Sequence, residues 1–370
     1  MLRSTFDRCW DTFLVNDTSW ARGLSLDGGG RGLVGHAGAV LLRKVADVCG
    51  LTDGLSMALR GRGRLPGWDR GVVWVALAVA IGLGARSMSD IAVLDHQEPV
   101  FGAPPSDSTV RRALELADGR GLRKIVDARA RARRYVWTRL AARPEGMCWV
   151  SVAGRELTGV VVIDIDATLI TAHSPKQGAA PTFKKGFGFH PLLAECDNTG
   201  ENLAVLLREG SAGSNTAADH ITVVDAAITQ IPPAYRRELL FRIDGAGATH
   251  TLLTYLQSLN TRRRRVDYSV GWAIDAVIET TIASVAPGEW QTSLRQTGAG
   301  VDGDEAGVVE ITGLLDPSVL AGWPRGIRLI ARRTRISRWH QKKLTDFERA
   351  SGWHYAVFAT ATTGIGIHAQ

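Results

Sequence analysis

Two short apolar segments of this chain end in aspartate, and these aspartates are the residues best suited to chemistry. Residues 160–166 read Val-Val-Val-Ile-Asp-Ile-Asp, which places Asp164 and Asp166 two positions apart. Residues 239–244 read Leu-Leu-Phe-Arg-Ile-Asp and end at Asp244. A carboxylate at the end of a buried strand is costly unless it is paired, hydrogen-bonded or bound to a metal. Two such endings in one chain predict a shared metal site.

The three aspartates predict a particular kind of metal chemistry. On a strand, residues two apart face the same side, so Asp164 and Asp166 project together. With Asp244 they offer carboxylate oxygens, which suit Mg²⁺ or Mn²⁺ better than zinc. Two such ions about 4 Å apart activate an attacking water or hydroxyl and stabilise the leaving oxygen of a phosphodiester. We therefore expect these residues to hold two ions and to cut or join nucleic acid.

The elements around the aspartates follow the order β-β-β-α-β-α-β. Apolar runs and helical periodicity predict five strands, at 160–166, 189–195, 203–208, 239–244 and 266–272, and two helices, at 214–231 and 248–259. This order is that of an α/β protein with a ribonuclease H-like mixed sheet, in which the fourth strand lies beside the first. Such a sheet would bring Asp244 close to Asp164 and Asp166.

The residues before the first strand are predicted to form a helical, DNA-binding region. Residues 1–30 form a flexible opening, and 31–150 form a succession of short helices that resembles a helix-turn-helix. A polar cap at 106–109 begins a helix that displays Arg111 and Arg112 in its first turn. We expect these arginines to contact DNA, although a solvated helix face is the ordinary alternative for such a pattern.

Basic loops accompany the predicted metal site. Lys176, Lys184 and Lys185 are interleaved with glycine and phenylalanine, which lets backbone approach phosphate while rings stack on bases. Arg262 and Arg263 belong to a run of four arginines before the fifth strand. We expect all five residues to bind the DNA backbone.

The bulk composition agrees with a polyanionic partner. The chain carries 44 Lys and Arg against 37 Asp and Glu, a net charge of +7. Arginine-rich codon usage in a high-GC genome is an alternative source of the same excess. The longest apolar stretch, 71–85, is too short to span a bilayer, and the first residues lack the features of a signal peptide. These observations predict a cytoplasmic protein with no membrane partner.

The Asp-x-Asp-x-Thr pattern at 164–168 has a second interpretation. It is also the nucleophile motif of haloacid dehalogenase-type phosphatases, in which Asp164 would attack phosphorus and Asp166 would act as general acid. Those enzymes also need a late apolar strand that ends in paired aspartates, and the segment 242–245 lacks the pair. This interpretation is the remote alternative.

Several longer motifs resemble the DDE transposases of bacterial insertion sequences, in particular the actinobacterial branch of the thirteen-eighty group. They lie at 69–73, 87–94, 108–109, 164–168, 176–179, 184–191, 213–220 and 242–246. The resemblance covers residues 30 to 363 and implies three regions. These are a helical region that binds terminal inverted repeats, a ribonuclease H-like catalytic core at 155–272, and a β-rich insertion at 273–363 that returns to the core.

The resemblance also implies an activity and its residues. Such enzymes cleave DNA at the element's ends and transfer the strand into target DNA, with Mg²⁺ or Mn²⁺, as dimers on DNA in the nucleoid of the bacterial cytoplasm. The first catalytic aspartate corresponds to Asp166, with Asp164 as the alternative or a second ligand, and the second corresponds to Asp244.

The third catalytic residue of the family, a glutamate, has no counterpart in this sequence. It should lie on a basic helix that follows the strand at 353–360, but residues 364–370 contain no glutamate. Glu348 precedes that strand, and the other glutamates of the insertion, Glu279, Glu289, Glu305 and Glu310, are no better placed. We therefore expect 364–370 to be a truncated end, and a catalytically dead copy that only binds DNA is the alternative function.

Overall fold

A computed structural model describes residues 37–61, 67–97, 101–115, 117–213, 216–301, 305–337 and 344–362. The chain divides into two compact units, Met1–Met147 and Cys148–Gln370. The predicted flexible opening at 1–30 and the predicted truncated end at 364–370 lie outside the described residues.

The described part of the first unit is helical. Its helices are α1 Val40–Val48, α2 Leu51–Ala58, α3 Arg70–Gly82, α4 Asp107–Glu115 and α5 Gly119–Ala141, with a 3-10 segment at Met88–Gln97. Aspartates begin two of them, because Asp69 accepts from the backbone N–H of Val72 and Asp118 from that of Gly121. No helix within the described ranges is both long enough and apolar enough to cross a membrane.

The second unit combines strands and helices. Its strands are β1 Ser151–Val152, β2 Arg155–Glu156, β3 Val160–Ala167, β4 Ile170–Thr171, β5 Ala180–Pro181, β6 Phe187–Phe189, β7 Leu192–Cys196, β8 Glu201–Leu206, β9 Glu238–Ile243, β10 Arg265–Trp272, β11 Gln291–Thr292, β12 Ala306–Glu310, β13 Arg328–Arg335 and β14 Trp353–Thr360. Its helices are α6 Ala217–Gln230, α7 His250–Ser258, α8 Ala276–Ser284 and α9 Asp346–Ser351.

A large mixed sheet organises this unit. Its strand order is β11-β12-β13-β14-β10-β9-β3-β7-β8. Strands β3, β9 and β10 are parallel, whereas β7 and β8 are antiparallel to their neighbours. The order β-β-β-α-β-α-β expected for this region is therefore observed, with the fourth of those strands beside the first. Strands β11 to β14, from the segment predicted as a β-rich insertion, extend the same sheet because β14 pairs with β10.

The pattern of apolar residues explains how the central strands are held. One face of β3 and β9 is fully buried, and α6 packs on β7 and β8 while α7 packs on β10. Buried Asn198 fixes the start of β3: its Oδ1 accepts from Val162 N at 2.8 Å, and its Nδ2 donates to Val160 O at 3.1 Å. The position of the aspartates at the far end of β3 is thus set by a rigid strand.

Candidate active site

Asp166 and Asp244 emerge side by side from the two central parallel strands. The register pairs Ile165 of β3 with Ile243 of β9, and each aspartate follows directly after its isoleucine. Neighbouring strands lie about 4.8 Å apart, so the two carboxylates share one edge of the sheet. Both residues are exposed at that edge. The predicted proximity of two aspartates far apart in sequence is therefore observed.

Each of these carboxylates is oriented by one backbone hydrogen bond. Asp166 Oδ1 accepts from Ala167 N at 2.7 Å, and Asp244 Oδ1 accepts from Ala246 N at 3.0 Å. In the described ranges, the second oxygen of each accepts no hydrogen bond from the protein. A pair of exposed carboxylate oxygens on adjacent strands suits a hard divalent cation.

Glycines let the turn after Asp244 pack closely against β10. A Cβ at Gly271 would lie 2.7 Å from Gly245 N, and a Cβ at Gly247 would lie 2.4 Å from a methyl group of Ile243. Any other residue at either position would force the neighbouring atoms to shift. The Asp-Gly-Ala-Gly sequence thus fixes Asp244 at the end of its strand.

Asp164 faces the same side of the sheet but is engaged by another residue. Its two oxygens accept from Nε and a terminal nitrogen of Arg242, each at 2.5 Å, and Arg242 also donates to Asp197 at 2.7 Å. The hydrogen bonds that Arg242 donates to Asp164, with the charges of Asp164 and Asp197, raise the pKa of Arg242 against the effect of its partial burial. Both oxygens of Asp164 are therefore occupied, whereas Asp166 keeps one oxygen that accepts no hydrogen bond from the described residues.

Glu348, the glutamate nearest in sequence to the last strand, is used in local structure. Its carboxylate accepts from Thr345 N at 2.9 Å, Tyr355 N at 3.1 Å and His354 Nδ1 at 2.6 Å. Burial raises its pKa, but these hydrogen bonds outweigh burial and lower it overall. Among the described residues, no group of three or more His, Cys, Asp or Glu side chains is placed to hold a metal ion.

The predicted lysine loops lie on a small sheet that continues from the carboxyl end of β3. This sheet has the order β4-β6-β5, and Lys184 and Lys185 occupy the exposed turn between β5 and β6. Lys176 is exposed in the loop between β4 and β5. Phe183 is 70% exposed and lies beneath Lys184, whose Nζ is 5.5 Å from the ring centroid. The loops that carry these three lysines therefore follow directly from the end of β3 at which Asp166 lies.

The other predicted DNA contacts lie elsewhere. Arg262 and Arg263 are exposed in the turn before β10, at the opposite edge of the sheet from Asp166. Arg111 and Arg112 are exposed on α4 of the first unit, where Arg111 lies 3.8 Å from Glu115 and Arg112 donates to Thr109 at 3.4 Å.

An aromatic cluster beside Asp244 was missed by sequence reasoning. Trp323 stacks on His250 with ring centroids 3.8 Å apart and meets Trp272 at 4.4 Å. Trp272 ends β10, the strand next to Asp244, and His250 begins α7. The position of Trp272 at the end of a predicted strand could have indicated from sequence that it lies near Asp244. The contact of Trp323 with His250 and Trp272 depends on tertiary structure. Arg242 was also missed, although it lies only two residues before Asp244 in the sequence.

Comparisons with known proteins give the following likenesses. The family model described as transposase DDE domain group 1 matches residues 17–345. Among solved structures, the chain is similar to the piggyBac transposase in a cryo-EM synaptic complex with hairpin DNA, at 8% identity and a TM-score of 0.39. That match covers 92% of this chain and 64% of the other, so the chain spans less than two thirds of it. No curated protein matches the chain.

The family match includes both strands that carry the paired carboxylates and extends over most of the chain. The protein therefore belongs to the transposase DDE domain group 1 family.

Proposed function

We propose that the protein is an insertion-sequence transposase that cleaves DNA at the element's terminal inverted repeats and transfers the cut strand. The observation that carries this proposal is the pairing of Asp166 and Asp244 at the carboxyl ends of adjacent parallel strands. The strand order β8-β7-β3-β9-β10 around them is the one expected for a ribonuclease H-like core. Family membership supports the same reaction class.

Asp166 and Asp244 are the residues that would hold divalent metal ions. Their outward carboxylate oxygens fit Mg²⁺ or Mn²⁺, which prefer oxygen ligands. When bound, such ions activate the attacking water or hydroxyl and stabilise the leaving oxygen of the phosphodiester. The chain's own part is to orient the two carboxylates through the hydrogen bonds from Ala167 and Ala246.

Arg242 acts as a positioning residue for this edge. By holding Asp164 and Asp197 it neutralises part of the negative charge next to Asp166 and fixes β3 to β9. Less negative charge at the edge lowers the electrostatic cost of bringing a phosphate there. The same pairing opposes the phosphatase alternative, since a nucleophilic Asp164 would need an oxygen that Arg242 does not occupy.

The DNA contacts follow from the exposed basic residues. Lys176, Lys184 and Lys185 would hold the backbone of the segment that reaches the carboxylates, because their loops begin where β3 ends. Arg111 and Arg112 on α4 would bind the inverted repeats, in a dimer that holds two element ends.

A protein that binds DNA without cutting it is the second candidate function. Within the described ranges two carboxylates come together at the sheet edge, and no third metal-binding side chain joins them. A two-metal site that lacks one ligand should lose most of its activity. This observation supports the second candidate, because an active enzyme requires a further ligand from residues outside the described ranges.

One assay separates the two functions. A labelled duplex that carries the sequence flanking the gene is incubated with the protein and Mg²⁺ or Mn²⁺, and both binding and strand nicking are measured. We expect metal-dependent nicking by the parent and none by Asp166→Ala or Asp244→Ala, with binding retained. Asp346→Ala, which removes a 98% exposed carboxylate elsewhere in the unit, is the matched control. Binding without nicking by the parent would establish the second candidate, and absence of both would overturn the proposed function.

A further inference from the structure

A groove lined by arginines lies at the edge of the sheet opposite to Asp166 and Asp244. It has a volume of about 690 Å³ and is formed where the chain enters β9 and β10. We call it the arginine groove, and its lining residues are Pro233, Arg236, Arg237, Thr261, Arg262, Arg263 and Arg264.

Hydrogen bonds join the backbone segments under the arginine groove. Thr261 and Arg264 form a tight turn, with Thr261 N donating to Arg264 O at 2.8 Å. The hydroxyl of Thr261 accepts from the N–H groups of Arg263 at 3.2 Å and Arg264 at 3.0 Å. A backbone hydrogen bond of 2.6 Å from Arg265 N to Arg237 O joins this turn to the residues before β9. The arginines are therefore held together before any ligand arrives, which lowers the entropic cost of binding.

The positive charge of the groove is largely uncompensated. Of the described residues, none forms a salt bridge with Arg237, Arg262, Arg263 or Arg264, and the adjacent carboxylate of Asp267 is paired with Arg265 at 2.8 Å. Guanidinium groups match phosphate oxygens in geometry and charge, and they bind them through paired hydrogen bonds. The groove therefore fits a chain of phosphates.

The groove and the carboxylate pair lie at opposite ends of β9. The length of β9 separates Arg237 from Asp244, which is roughly 20 Å at about 3.3 Å per residue. On the exposed side of the sheet between them, Asp164, Glu195 and Asp197 lie around Arg242, which pairs with two of these three carboxylates. This acidic excess repels a DNA backbone laid across the sheet from one edge to the other.

We propose that the arginine groove binds the backbone phosphates of a second DNA segment, distinct from the segment at Asp166 and Asp244. The inference rests on the proposed function in taking DNA as the polyanion. One chain then holds two DNA segments at opposite edges of one sheet, as joining a donor end to a target requires.

The test is the number of short duplexes bound per chain. A labelled duplex is titrated into the protein at a concentration far above the dissociation constants, with fluorescence anisotropy as the readout. We expect two duplexes per chain for the parent and one for Arg262→Ala/Arg263→Ala. The control Arg155→Ala/Arg295→Ala removes the same charge from exposed positions outside the groove and should keep two. Arg237→Ala is a second groove variant, and equal melting temperatures verify that each variant is folded.

Salt dependence adds a quantitative check. If Arg262 and Arg263 each neutralise one phosphate, the slope of log K against log salt for the second duplex falls in magnitude by about 1.8 in a variant that still binds it weakly. One duplex per chain in the parent, or loss of both duplexes in the groove variants, would overturn the proposal of a second DNA segment. Two duplexes per chain with no nicking in any variant would instead refute the proposed cleavage and would still support the proposal of a second DNA segment.

Discussion

The separate roles of Asp164 and Asp166 lead to opposite effects of the same substitution. Asp164→Asn removes the charge from a pair with Arg242 that is made through two hydrogen bonds. Asp166→Asn alters a carboxylate that is exposed and accepts one local hydrogen bond from Ala167 N. We expect the first variant to lose stability and the second to lose DNA nicking.

The size of the stability loss follows from the partial exposure of the pair. Hydrogen bonds to charged groups contribute about 1.5–3 kcal/mol when buried. Arg242 and Asp164 are each 38% exposed, so water weakens the interaction below its buried value, and we expect a loss of about 1 kcal/mol. For a unit of this size that corresponds to a fall of about 2–4 °C in melting temperature. Asp166→Asn should change the free energy of unfolding by less than about 0.5 kcal/mol.

The assay combines thermal unfolding with nicking of labelled DNA in Mg²⁺. We expect Asp164→Asn to melt earlier yet keep measurable nicking at a temperature where it is folded, and Asp166→Asn to melt like the parent without nicking. Arg242→Met should melt earlier than Asp164→Asn, because it leaves two carboxylates without their cation. The reasoning is refuted if Asp166→Asn is the less stable variant, or if it nicks normally while folded Asp164→Asn is inactive.

Three further predictions concern the framework that holds the site. The hydrogen bonds from Arg328 lower the pKa of Glu310 below its ordinary value of 4.5, so the stability this carboxylate contributes is present above that pH and is lost as the pH falls through the lowered pKa. Glu310→Gln should therefore cost about 1 kcal/mol at pH 7 and nothing in strong acid, as urea unfolding at several pH values would show. Asn198→Ala should cost about 3 kcal/mol in the same measurement, because it leaves buried backbone groups of β3 without partners. Gly188→Ala would place a Cβ 1.9 Å from a carbonyl oxygen of β4. This variant should therefore increase amide hydrogen exchange in the small sheet and weaken DNA binding. The control Gly186→Ala, whose Cβ would have its nearest contact at 3.2 Å, should change neither the exchange nor the binding. Unchanged exchange in Gly188→Ala would contradict the packing described for β4 and β6.

Much of the framework was predictable from sequence because it depends on neighbouring residues. Apolar runs such as 160–166 and 239–244 predicted strands, and β3 and β9 are found at these positions. The polar segment 106–109 predicted a helix start, and Ser106 Oγ accepts from the N–H of Thr109 where α4 begins. In each case the signal lies within a few residues of the element, where propensity and capping act.

The parts that sequence reasoning missed depend on residues far apart along the chain. Arg242 meets Asp164 because the register of β3 and β9 places them opposite each other. Trp323 reaches His250 from a turn between β12 and β13. The continuation of the sheet from β10 into β14 likewise requires pairing across the whole segment 273–352. None of these pairings leaves a periodic pattern in the sequence.

The sequence by itself determined that two strands end in carboxylates, that they belong to a β-β-β-α-β-α-β order, and that basic loops accompany them. These features could be determined because the burial pattern of a strand and the capping of a helix depend on residues close together in the sequence. Tertiary structure alone decided which aspartate is paired with an arginine and which two lie together at the edge. Strand register places Asp164 opposite Arg242 and sets Asp166 beside Asp244. It also placed Arg262 and Arg263 at the opposite edge of the sheet, since parallel strands direct their amino and carboxyl ends to opposite sides.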